Sequence, residues 1–443
     1  MLELSFRQCY IPTAPNPANT YGQTYAYDKS KTYNWGSNLK WDINDIFTAR
    51  GAYQHMDSLE SAYYNLNNFQ NNDGTYNQQH IYYAPFKRDN DAYSLYLDSK
   101  FKTWFIEHKF TIGWSGTYAE FDQHTTSTNT TTSNGLTFSN TFAPEPTIGF
   151  TGGPYYRSGR TDISNWQLGD EIKFSEQWSV LAGANLTDIE QRNWNTGSHV
   201  TSHYDKQDVT PSESLLFKPA PWITTYFTYM EGLQSGSVIG LGFTNTGQIL
   251  PPYLSSQYEV GAKATVDGVL LTGALFRIDK ANIYNNEAQP IPTETEDGRQ
   301  VNQGVEVTAT GKVTRDLTVY GGFTIMDITV EKTNTAALAG KEPTGTAPEF
   351  AKLYVEYNLP WVKGLTLTGG GYWTHSMWNN SANTQEVPSY VTGDLGARYE
   401  TKFYNVPTIF RINVTNVADA GYWSSLGTLA PPRNIAFSMQ VKF

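Results

Sequence analysis

RNIAFSMQVKF, residues 433–443, is the stretch that decides the fold class. Ile435, Phe437, Met439, Val441 and Phe443 alternate with Asn434, Ala436, Ser438, Gln440 and Lys442. A period of two reads as a strand with one apolar and one polar face. The same pattern recurs along the chain. Tyr258, Val260, Ala262, Ala264 and Val266 oppose Glu259, Lys263 and Thr265. Val305, Val307 and Ala309 oppose Glu306, Thr308 and Thr310, and Phe410, Ile412 and Val414 oppose Arg411, Asn413 and Thr415. Eighteen such stretches of about ten residues run from 2–10 to 433–443, the length of a strand tilted across a bilayer.

Composition fits strands that need only half their residues apolar. The 443 residues are 39% hydrophobic and 16% charged, yet 14% aromatic, with 30 Tyr and 12 Trp. Disordered chains share the low hydrophobicity but lack the aromatics. No run approaches the 18 or so apolar residues of a spanning helix. The formal net charge of -11 argues against a nucleic-acid partner, which wants a basic face. Cys9 is alone, so neither a disulfide framework nor a thiolate metal cluster is expected. The N-terminus MLELSFRQCYIPTAPNP does not have the pattern of a signal peptide.

The connections separate a membrane barrel from a soluble sandwich. Eight are short: DIND (42–45), WFIE (104–107), FSEQ (174–177), KPAP (218–221), VDG (266–268), KVTRD (312–316), LPWVKG (359–364) and TKFYN (401–405). Long connections such as 57–90, 121–159, 233–255 and 283–300 alternate with them. Transmembrane barrels have this asymmetry, with short periplasmic turns and long outer loops. Trp41, Trp104, Trp178, Trp222 and Trp361 sit in or beside short turns, as an interfacial aromatic girdle would. Glu259, Lys263, Glu306, Arg398 and Arg411 fall on the polar, lumen-side face, where a wet interior spares them the cost of facing lipid.

Several segments resemble the C-terminal barrel of TonB-dependent siderophore receptors. They are LPPYLSSQYEVGAKA (250–264), LTGALFRIDKAN (271–282), DGRQVNQGVEVTATGKV (297–313), RINVTNVADAGYW (411–423) and PPRNIAFSMQVKF (431–443). Asn413, Asn416 and Asp419 match the family's asparagine-rich segment before the last outer loop. Phe443 matches the terminal aromatic that the barrel-assembly machinery reads. The resemblance implies an all-β protein, a transmembrane antiparallel β-barrel in the cell outer membrane, with about 18 strands of a 22-stranded barrel in this chain. On that basis residues 1–443 are expected to form one barrel domain, N-terminally truncated, without plug or signal peptide. Contact with the TonB complex would run only through the missing N-terminal region. The alternative is a complete eighteen-stranded passive, substrate-specific porin.

The implied function is import of ferric siderophores, with the iron carried by the ligand and no cofactor held by the protein. The expected partners are a ferric siderophore, outer-membrane lipid and the barrel-assembly machinery. No G-x-S-x-G, H-E-x-x-H or Walker A pattern occurs, so no catalytic residue is assigned and the chain is read as a non-enzyme. His199 and His203 are four apart, but in a loop that spacing names no metal site. Aromatic faces and polar donors suit a bulky chelate, and arginine suits an anionic one. The outer-loop candidates are Tyr155, Tyr156, Arg157, Trp194, Tyr253, Tyr284, Trp378 and Trp423.

Overall fold

A computed structural model describes residues 3–6, 11–69, 74–147, 152–239, 243–286, 293–333, 335–425 and 427–442. In chain order the strands are β1 (Glu3–Phe6), β2 (Tyr27–Asp42), β3 (Phe47–Phe69), β4 (Tyr76–Thr103), β5 (Ile106–His124), β6 (Thr128–Leu136), β7 (Tyr155–Lys173) and β8 (Trp178–Trp194). Then come β9 (Val200–Ala220), β10 (Ile223–Gln234), β11 (Tyr253–Val266), β12 (Val269–Asn286), β13 (Thr293–Lys312), β14 (Leu317–Lys332), β15 (Glu349–Asn358) and β16 (Leu365–Thr374). The last are β17 (Met377–Trp378), β18 (Glu386–Val387), β19 (Tyr390–Phe403), β20 (Val406–Thr415), β21 (Trp423–Ser425), β22 (Thr428–Leu429) and β23 (Asn434–Val441).

Seventeen of them, β2–β5, β7–β16, β19, β20 and β23, make one antiparallel meander in which each strand pairs with the next. All eight short connections are hairpin turns at one end of this wall. Asp267 and Gly268 turn β11 into β12 with φ of 49° and 85°, and Tyr404 and Asn405 turn β19 into β20 with 48° and 65°. Positive φ at both central residues gives a turn whose twist matches the flanking strands. Among the described residues β2 and β23 each pair on one side only.

The stretch 2–10 is a correction to the eighteen-strand reading. Its described part, β1, runs parallel to the far end of β3, with Glu3 opposite Leu66 and Phe6 opposite Phe69. A brief alternation in sequence carries no information about strand direction, so it was indistinguishable from a wall strand. The long connections also hold more pairing than expected. β4 extends over 28 residues from Tyr76, and β6 folds back on its outer part, Gln79 opposite Thr132. Beyond the bilayer both faces meet water, so strands continue there without apolar alternation.

The register separates two faces. One carries Leu39 and Trp41 of β2, Leu95 and Leu97 of β4, Ile112 and Trp114 of β5, and Trp166 and Leu168 of β7, joined through pairs such as Leu97–Ile112 and Trp114–Trp166. All but the half-buried Trp114 are exposed; this is the lipid face. Trp41, Trp104, Trp178, Trp222 and Trp361 lie exposed at the short-turn rim. A second rim holds Trp35 against Tyr53 at 5.4 Å and Tyr93 against Trp114 at 4.3 Å. From Trp104 to Tyr93 the wall climbs about ten residues, one bilayer crossing. The other face is a polar ladder: Gln54 donates to Asn34 at 3.0 Å, Arg50 to Asp98 at 2.5 and 2.8 Å, and Thr187 to Asn165 at 2.7 Å.

Apolar burial is concentrated at the far end, among the loops. Ile11, Tyr76, Leu136, Ala143, Met377, Val387 and Trp423 form one buried cluster there. A barrel whose wall buries little between its faces has its packed core in its loops.

Candidate functional site at the outer mouth

On the lumen face the register brings Glu259, Lys263, Glu306, Arg398 and Arg411 inward, as expected. Tyr226 donates to Glu259 at 2.5 Å, both terminal nitrogens of Arg398 reach Glu356 at 3.2 Å, and Arg411 donates to Gln440 at 3.2 Å. These charges line the channel and are held by neighbouring strands.

Higher up, the segment between β10 and β11 folds inward as a small hairpin. Ile239 donates to the Gln248 carbonyl at 2.8 Å and Leu250 to that of Ser237 at 3.0 Å. It docks on the inner face of β8. Gln191, 3% exposed, donates to the Gly236 carbonyl at 3.1 Å and accepts from the Gly236 amide at 3.2 Å. Asn193 donates to the Gly247 carbonyl at 2.8 Å. Both polar ends of the Gln191 amide are satisfied by backbone, which a buried amide requires. The docked hairpin narrows the mouth from the β8 side.

On the same side of the wall, on β4 and β5, with only β7 between β5 and β8, the Arg88 guanidinium lies 5.5 Å from the Phe86 ring and 5.4 Å from Phe121. The two rings are 5.3 Å apart, and Glu60 stands 3.9 Å from Arg88. The Arg88 side chain is half-exposed. A cation set on aromatic faces with donors free for a guest is a recognition element. The alternation Phe86-x-Arg88 was the signal in the sequence, and its partner Phe121 lies too far along the chain for spacing to connect them.

The eight residues expected to bind ligand do not converge. Tyr155 and Arg157 take the outer wall: Lys87 lies 4.6 Å above the Tyr155 ring, and Arg157 pairs with Asp122 at 3.0 Å and also with Glu120. Tyr156, next along the strand, takes the opposite face and accepts from Gln123 at 2.7 Å. Trp194 ends β8, Tyr253 opens β11, and Trp378 pairs with Glu386, all half-buried. Tyr284 and Trp423 are packing residues, 7% and 2% exposed. Tyr284 shares a hydrogen bond with Thr335 at 2.8 Å, and the Trp423 indole donates to the Pro12 carbonyl at 2.7 Å. Loop sequence names aromatic residues without saying which way they turn. Phe443 lies outside the described residues.

Two histidines, His80 and His55, differ from solvated loop residues, whereas His199 and His203 are exposed. His80 is fully buried in the outer part of β4. Its Nδ1 meets Asn65 at 2.8 Å and Tyr25 at 3.3 Å, and its Nε2 meets Ser133 at 2.9 Å. Burial holds its imidazole below the ordinary range, near pH 6.5. The unfolded chain therefore binds a proton through that region while the folded hairpin stays neutral, and stability falls as pH drops below about 6.5. Protection of amides in the outer parts of β3, β4 and β6, taken as exchange relative to an unstructured peptide at the same pH, is expected to be lower at pH 5 than at pH 7.5, with the difference absent in His80→Gln. Equal protection at both pH values in the parent protein would contradict this. Elsewhere His55 stands between Asp91 at 2.9 Å and Asp57 at 3.2 Å, an imidazole hydrogen-bonded to carboxylates on both sides.

A family model described as TonB dependent receptor-like, beta-barrel, matches residues 6–417. A ferrichrome receptor of Yersinia enterocolitica is 25% identical over 98% of this chain and 58% of its own length. A ferrichrome outer membrane transporter and phage receptor of Escherichia coli is 26% identical over 58% of this chain and 35% of its own. The chain thus spans less than two thirds of these relatives. Among solved structures, the ferric preacinetobactin receptor of Acinetobacter baumannii superposes with a TM-score of 0.81 at 22% identity, over 100% of this chain and 67% of that one. That likeness establishes the fold. The passive porin is not favoured by any of these relatives.

Proposed function

The chain belongs to the TonB-dependent receptor-like β-barrel family, barrels of the bacterial outer membrane, and from that premise we propose that it forms the wall and mouth of a receptor that imports ferric siderophores. Residues 1–443 are read as one barrel domain. The reading rests on one observation above the others, the match of nearly the whole chain to a ferrichrome receptor. The mouth offers chemistry in keeping with it. Arg88 on the Phe86 and Phe121 rings presents a cation and two aromatic faces, suited to the rim of a bulky chelate. The iron arrives and leaves with its ligand, so no bond is made or broken and no cofactor is called for. Energy coupling through the TonB complex belongs to the same proposal, as does reading of Phe443 by the assembly machinery.

Twelve tryptophans give a direct assay. Titrating the membrane-inserted protein with ferrichrome, and in parallel with a ferric tris-catecholate, should quench fluorescence saturably for at least one of them. Saturation by neither, with steady ion conductance in a planar bilayer, would replace the receptor by a passive channel. Arg88→Ala is expected to weaken binding of the preferred chelate by about tenfold, the worth of a partly desolvated cation–π contact. An unchanged affinity in that variant would remove Arg88 from the cup.

A further inference from the structure

The segment before β2 and the loop before β23 meet at the outer end, although β2 and β23 are not paired with each other among the described residues. The Trp423 indole donates to the Pro12 carbonyl at 2.7 Å across a separation of 411 residues. Gly421 makes a second contact at the same place. A Cβ there would lie 3.0 Å from the Pro15 carbonyl oxygen and 3.2 Å from Pro17 Cδ, so the backbone of loop 421–423 lies directly on residues 14–17. The other side of the segment is held by the β4–β6 arm. Gln23 donates to Gln78 and to the Thr141 carbonyl, both at 2.6 Å, and accepts from the Ala143 amide at 3.3 Å. Ile11 completes the packing, in the buried cluster with Tyr76, Leu136, Met377, Val387 and Trp423.

From these contacts we infer that Trp423 is a positioning residue: it clasps residues 11–25 between the last outer loop and the β4–β6 arm, and so sets the shape of the mouth. Five separate chain segments meet in the cluster, and two of them carry aromatic residues of the rim. Met377 is adjacent to Trp378, and Trp423 to Tyr422, whose ring stacks on Tyr390 at 4.1 Å. Releasing the indole bond frees the segment and lets these aromatic groups drift, without touching the wall.

Trp423→Phe keeps an aromatic ring in the cluster and deletes only the N–H donor and the ring's outer part. Hydrogen exchange by mass spectrometry on the membrane-inserted protein should show amides within 11–25 exchanging about tenfold faster, with β12–β16 unchanged. Gly421→Ala, which presses on residues 14–17 from the same side, should give the same local loss. Exchange in 11–25 equal to the parent in both variants would overturn the clasp, and so would acceleration spread evenly over the wall. A second arm rests on the receptor reading: the affinity for whichever ferric siderophore the parent binds should fall about tenfold in Trp423→Phe. If the parent binds none, the receptor reading fails while the exchange result still decides the clasp. If the parent binds and the variant binds equally well with a loosened segment, the segment is clasped but does not position the cup.

Discussion

Leu97→Arg is expected to destabilise the membrane-inserted protein by about 2–4 kcal/mol, while Ser94→Arg, three residues away, stays within about 0.5 kcal/mol. Leu97 pairs with Ala49 and Ile112 on the lipid face, roughly midway between the rim at Trp104 and the rim at Tyr93. A guanidinium there sits near the hydrocarbon midplane, where desolvation is greatest. Ser94 pairs with Ala52 and Ser115 on the lumen face, where an added arginine meets water. Urea unfolding of the protein in vesicles, followed by tryptophan fluorescence, measures both. Equal destabilisation by the two arginines would show that the faces have been assigned wrongly, since a one-residue slip in register exchanges them throughout the wall.

The second large effect is in the mouth. At Gly236 a Cβ would lie 1.4 Å from the Leu250 carbonyl oxygen, and the obstacle is backbone that no side-chain rotation relieves. Gly236→Ala is therefore expected to lift the hairpin between β10 and β11 off β8. Both Gln191 contacts to Gly236 and the burial of the hairpin on β8 would go with it, at about 2–4 kcal/mol of local stability. Limited proteolysis should then cut between 236 and 250, where the parent resists, and leave the wall intact. A variant cut no faster than the parent would show that the hairpin is held by other contacts. Because the hairpin narrows the mouth, release should also change access to the lumen, readable as a larger ion conductance in a planar bilayer.

The wall was legible because its physics is local. Alternation in Tyr258–Val266 is dictated by lipid on one side and water on the other, and turn residues such as Asp267–Gly268 mark the ends. Those rules act within ten residues, so reading them needs no knowledge of the rest of the chain. They fail where one of the two solvents is missing. Above the bilayer, Asn65, Asn67, Gln78 and His80 continue the strands with polar side chains buried against one another, and a polar run in sequence reads as loop. The candidate site was less legible for a related reason. In sequence Trp423 and Tyr284 read as aromatic residues of long connections, which describes a ligand contact and a core residue equally well. What distinguishes them is Pro12 for one and Thr335 for the other, partners that only the folded mouth brings near.

Time gives the bond between Trp423 and Pro12 a further meaning. The wall can be laid down one hairpin after another, each pairing with the strand just made. Closing a loop of 411 residues from an unstructured chain would cost about 5 kcal/mol in entropy. Laying down the hairpins first offsets most of that, since a curving sheet carries its two ends toward each other. The indole–carbonyl contact is then among the last events of assembly. It reports that the described hairpins are all in place, which the strand pairings, each blind to how many hairpins have been made, do not.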